Sequence, residues 1–145
     1  MQSYNGFSPD ERMRGERAYK EAVRRGMMKA VTSCEMCTQT RGQIMYHLED
    51  YSRPLRGHGL CVECHMTLHI RFARPNIWRA YCLKLRSGYV SHPWASVGEW
   101  MNANPFPRYD AKPVPPFEPR GTRWWEMLAL KPVDLRQLPL AARIG

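Results

Sequence analysis

The chain has 145 residues, with 22 Lys and Arg against 13 Asp and Glu and a formal net charge of +9. This length supports one modest core and excludes two ordinary domains with independent cores; no run approaches the roughly 18 apolar residues of a helical membrane span. The basic excess, with an isoelectric point near 9.7, points to a polyanion such as DNA or RNA, the alternative being a basic surface kept for solubility.

The first predicted element is a basic helix over 9–25, in an N-terminal segment 1–29. Ser8 is its N-cap, Pro9 its first position, Glu11 completes a capping box and Gly26 stops it. Tyr19, Ala22, Val23 and Met27 recur at helical spacing and are expected in the core. Arg17, Lys20 and Arg24 line another side. They read either as a nucleic-acid contact or as an exposed face balanced by the pairs Glu16–Lys20 and Glu21–Arg25.

A zinc-binding domain with following helices is expected over 30–103. Cys34-Glu35-Met36-Cys37 makes a tight turn, Gly42 marks another, 43–48 reads as a short strand, and Pro54, Gly57 and Gly59 break the return path. The pattern turns helical over 62–72, and Pro75 opens a further helix to 86, closed by Gly88. Trp78, Tyr81, Cys82 and Leu85 form one apolar stripe on it, which makes Cys82 a buried hydrophobe and not a ligand. Ser96 and Glu99 have capping-box spacing and predict a short helix over 97–103.

From Asn104 onward, eight prolines in 42 residues imply an extended tail, 104–145. Its apolar island at 124–130 begins with Trp124 and Trp125, which either fold back on the core or dock on a larger protein complex. The N-terminus lacks a basic region followed by an apolar run, so a cytoplasmic location is expected. In a reducing compartment, C-x-x-C pairs are metal ligands and not disulfides.

Cys34-x2-Cys37-x23-Cys61-x2-Cys64 is ligand spacing for one structural zinc: each turn converges two thiolates on the ion, and two turns close a tetrahedral shell. Such a closed site holds a fold and leaves no position for substrate. His65 and His69 stand four apart on the helix beginning near Cys64, and His47 lies on the preceding strand. These imidazoles either meet at a second divalent metal with open positions, or they are surface and hydrogen-bonded residues without an ion.

The stretch from His47 through Asp50-Tyr51-x-x-Pro54-Leu55, followed by Leu60-Cys61-x-x-Cys64-His65-x-x-x-His69, resembles the HNH endonucleases that have a ββα-metal fold and a four-cysteine zinc knuckle. The resemblance covers residues 34–69. It implies an α+β class: a small zinc-knuckle ββα-metal core with flanking helices and an extended Pro-rich arm. It further implies that His47, His65 and His69 are metal ligands and that the second residue of the family's His-His pair is the general base. Here that residue is Leu48, and Arg56 stands near the Asn or Asp that orients the base.

Base catalysis contributes about 100- to 10,000-fold, so its loss would slow metal-assisted hydrolysis without removing it. Glu49, Asp50 and His58 are the groups available to replace it, and Asp50 with Tyr51 could equally cap and pack the hairpin turn. Arg53, Arg56 and Arg71 are expected to grip phosphates. Three functions follow as expectations: a metal-dependent DNA endonuclease, a catalytically inactive nucleic-acid-binding module, or a protein-interaction factor anchored by the tail.

Overall fold

Helix α1, Pro9–Arg24, begins where the sequence places it. Glu11 N donates to Ser8 Oγ at 3.2 Å and Ser8 N donates to Glu11 Oε2 at 2.9 Å, satisfying two amides that the first turn leaves open. It ends before Gly26, whose φ of 72° suits a residue without Cβ. Ala22 is buried, and Tyr19 stacks on Tyr46 with ring centroids 3.6 Å apart. Met27, expected in the core, is 72% exposed: it lies beyond the helix stop, where the helical period no longer aims its side chain inward.

The computed structural model describes residues 1–104 and 121–144. Strands β1, Ile44–His47, and β2, His58–Cys61, pair antiparallel in the register Ile44↔Cys61, Met45↔Leu60, Tyr46↔Gly59 and His47↔His58. Helix α2, Val62–His69, follows β2 without a connecting loop. It is three residues shorter than its pattern suggests, because Ile70 caps it and Arg71 N donates to Leu68 O in a tighter turn. Helices α3, Pro75–Arg86, and α4, Val97–Ala103, complete the mixed α+β arrangement. Ser96 Oγ caps α4 through Glu99 N at 3.0 Å, and Trp100 is fully buried.

The core is built around the cysteines. Cys34, Cys37, Cys61 and Cys64 lie among Met36, Leu60, Leu68, Trp78, Tyr81, Cys82 and Leu85, so the α3 stripe closes over the sulfur cluster. Cys82 belongs to that stripe, as its spacing indicates.

The extended arm expected over 104–145 falls partly on 105–120, outside the described residues. Beyond them the chain is folded back: Trp124–Met127, Leu135–Gln137 and Leu140–Ala142 form short 3-10 turns. Trp125 and Leu128 join the core, and buried Glu126 pairs with Arg86 at 2.6 Å. The island that could have docked elsewhere therefore spends its second tryptophan on its own chain.

Candidate metal centres

Two clusters of ligand-type side chains are gathered around the hairpin and α2, the first of them completed by the turn that precedes β1. In the first, the sulfurs of Cys34, Cys37, Cys61 and Cys64 all lie within 4.8 Å of one another, and all four residues are buried. The knuckle is closed by Thr38 N donating to Cys34 O at 3.0 Å, while Cys37 N points to Cys34 Sγ at 3.5 Å. Glu35 ties it to β2: Glu35 N donates to Gly59 O at 2.9 Å, and Gly59 N returns to Glu35 Oε2 at 3.2 Å. Gly59 has no room for a side chain, since a Cβ there would stand 2.5 Å from Ser33 O. Hydrogen bonds from Cys37, Cys61 and Cys64 drive the Cys34 thiol far down, while Cys34 and Cys37 drive Cys61 and Cys64 up. Four buried sulfurs so disposed can hold a metal, and the set is compatible with zinc.

The second cluster is His47, His65 and His69, whose ligand nitrogens also lie within 4.8 Å of one another. His65 and His69 are one turn apart on α2, with their Nε2 atoms 3.0 Å apart. The His47 ring stands edge-on to both, at centroid distances of 5.2 and 5.1 Å. Two ring nitrogens at that separation can share a proton or aim both lone pairs at one cation. Burial first, then the neighbouring His47, push His65 down to about 3 and hold His69 well below its ordinary range. Both rings are thus kept in the neutral form that ligates metal.

Beside His47 lies a buried carboxylate. Glu49 Oε2 meets His47 Nε2 at 2.6 Å and accepts a hydrogen bond from Tyr4 OH; Glu49 Oε1 accepts from Asn5 Nδ2 at 3.0 Å and from Arg71 Nη2 at 3.4 Å. Burial raises its pKa, but His47, Arg71 and Tyr4 outweigh that and hold it below the usual range. Tyr4 is held well above its own, by burial and by Glu49. Asp50 is buried too but faces a turn, accepting from Ser52 Oγ at 2.6 Å, Arg53 Nε at 2.9 Å and Arg143 Nη1 at 3.2 Å.

The structure corrects one expected phosphate contact. Arg71 is 1% exposed, and its guanidinium is committed to Ala129 O at 2.8 Å, Tyr4 OH at 2.8 Å, Leu68 O and Glu49. The tighter turn after α2 directs it inward. Arg53 is engaged with Asp50, Arg56 is exposed in the β1–β2 connection, and Arg17, Lys20 and Arg24 are exposed on α1, Arg24 paired with Glu21 at 2.5 Å. Leu48 is 2% exposed and packs toward α1, close to Gly15.

Several residues at the histidine cluster escape sequence reasoning. Tyr4 and Asn5 reach it through a tight hairpin turn in which Asn5 and Gly6 take φ of 52° and 85°, and Tyr4 and Phe7 exchange backbone hydrogen bonds. The Asn-Gly pair was the available signal for that turn. Arg12 sits 5.4 Å from the ring centroids of both Tyr4 and Tyr51. Trp124 stacks on His58 with centroids 3.8 Å apart and lies nearly parallel to His47 at 6.2 Å. His58, across the ladder from His47, bonds Glu35 through Nδ1 at 3.0 Å, and its buried Nε2 has no partner among the described residues.

Comparison of the chain with protein-family models, with curated proteins and with solved structures finds no match. Among the described residues, no helix is long and apolar enough to cross a membrane.

Proposed function

We propose that the chain is a zinc-knuckle protein of the HNH type that hydrolyses phosphodiester bonds in DNA, with zinc at the four cysteines and a second divalent ion at His47, His65 and His69. The observation that carries this reading is the convergence of three imidazoles, from β1 and α2, on a framework whose four-sulfur cluster is drawn from the turn before β1, the end of β2 and the first turn of α2. An all-imidazole set suits a transition metal better than magnesium. An ion held there would supply positive charge to a phosphate oxygen and to the leaving oxygen.

The chain's own residues divide the remaining work. His47, His65 and His69 orient the site. Of the three groups that could take over from Leu48, Glu49 and Asp50 are buried and fully engaged, whereas His58, held at Nδ1 by Glu35, has a buried Nε2 with no hydrogen-bond partner among the described residues. His58 is therefore the candidate proton acceptor, reached by water only when Trp124, which stacks on it, swings away. The exposed cations of α1 and Arg56 supply attraction for the backbone of the nucleic acid.

Plasmid nicking across a series of divalent ions, with metal counted per chain, tests the reading. The expected result is two metals per chain, nicking that disappears in His65→Ala, and a loss of roughly 100- to 10,000-fold in His58→Ala. Equal nicking by the wild type and His65→Ala would exclude it.

A second reading, a binding module without catalysis, is favoured by buried Leu48 at the base position and by Trp124 laid against His58 and His47. It is distinguished by salt-sensitive DNA binding with one metal per chain and no nicking.

A further inference from the structure

Glu49 is the least exposed carboxylate in contact with the histidine cluster, and its geometry bears on what it can do there. Each oxygen already has two partners: Tyr4 OH and His47 Nε2 on one, Asn5 Nδ2 and Arg71 Nη2 on the other. With 3% of the residue exposed, neither oxygen is open to an attacking water. Glu49 also stands outside the group of ligand atoms that lie mutually within 4.8 Å, although His47 belongs to it. A carboxylate against one imidazole of a ligand set, itself held by three other side chains, has the form of an outer-shell anchor.

We propose, resting on the reading of His47, His65 and His69 as a metal site, that Glu49 is a positioning residue. It takes the Nε2 proton of His47 as a hydrogen bond, fixes that ring in one tautomer, and leaves Nδ1 as the nitrogen that ligates. Tyr4, Asn5 and Arg71 hold the carboxylate so that it cannot rotate away. The N-terminal turn thereby sets the ligand geometry of a site assembled from β1 and α2. Asn5 adds a second tie, since its Nδ2 also donates to Glu49 O at 3.0 Å.

The test uses the full chain with its cysteine site loaded with zinc and reads two quantities. Long-range proton–nitrogen spectra report the His47 tautomer before the second ion is added, and cobalt(II) absorption reports affinity at the histidine site. In the wild type, His47 is a single Nε2–H tautomer. In Glu49→Ala the tautomers mix and cobalt(II) binds about 10- to 100-fold more weakly, with the cysteine site still occupied. Glu49→Gln, which keeps the shape but accepts through one end only, gives an intermediate loss and serves if the alanine variant does not fold. A wild-type tautomer and affinity in whichever of these variants folds overturns the proposal. Should the wild type bind no second ion, the metal reading fails, and the tautomer measurement still decides the role of Glu49.

Discussion

At the scale of single residues, His65 and His69 remain uncharged at a pH where the same rings in an unfolded chain take up protons. Their folded values lie below the ordinary 6.5, so the unfolded state binds more protons as the pH falls through about 6.5. Stability of the protein without an ion at the histidines is therefore expected to be complete above that point. It falls on acidification, by up to about 1.4 kcal/mol per pH unit for each ring. Glu49 adds a loss of the same sign below its ordinary 4.5, because its folded value is held down. Urea unfolding at a series of pH values checks this. The slope between neutral pH and about pH 5 should flatten in His69→Gln, and an unchanged slope would contradict the assignment of the titrating group.

At the scale of elements, the first knuckle contains a visible local strain. Thr38, β-branched, has φ of 69° so that its amide can reach Cys34 O. Asn tolerates that conformation far better, and Thr38→Asn is expected to stabilise the metal-loaded chain by about 0.5–1 kcal/mol, measured as a shift of the denaturant midpoint. Most elements were legible because their ends carry chemical signals. Ser8 with Glu11, Pro75, Ser96 with Glu99, and the cysteine spacing each mark a boundary that the structure reproduces. The surroundings of the histidines were not legible. Tyr4 and Glu49 are 45 positions apart, and Arg71 and Ala129 are 58 apart. Such contacts arise from packing between segments and leave no period or spacing in the chain. Arg71 misleads for the same reason: a basic residue next to a ligand helix looks like a phosphate contact until the turn after α2 buries it.

At the scale of the molecule, both ends of the described chain close on the hairpin and α2. Trp125 is 1% exposed inside the cysteine core, and Leu135 N donates to Asn5 O at 3.0 Å, joining the C-terminal segment to the N-terminal turn. Trp125→Ala is expected to cost about 3–5 kcal/mol, read by urea unfolding, and to weaken retention of metal at the cysteines. A loss under about 1 kcal/mol would show that the segment rests on the surface without supporting the core. The Asn5-Gly6 pair has one more consequence, which concerns the ageing of the protein. A glycine after asparagine favours attack of the Gly6 backbone nitrogen on the Asn5 side-chain carbonyl, which expels ammonia and closes a succinimide; water then opens the ring and leaves a carboxylate where Asn5 now presents an amide to Glu49. Two carboxylates would face each other in a buried site, and the repulsion would open the clamp. Protein loaded with cobalt(II), stored and separated by isoelectric focusing should, on the reading of the histidines as a metal site, contain an acidic form that holds cobalt(II) more weakly there than at the cysteines; equal weakening at both sites in that form would contradict the coupling.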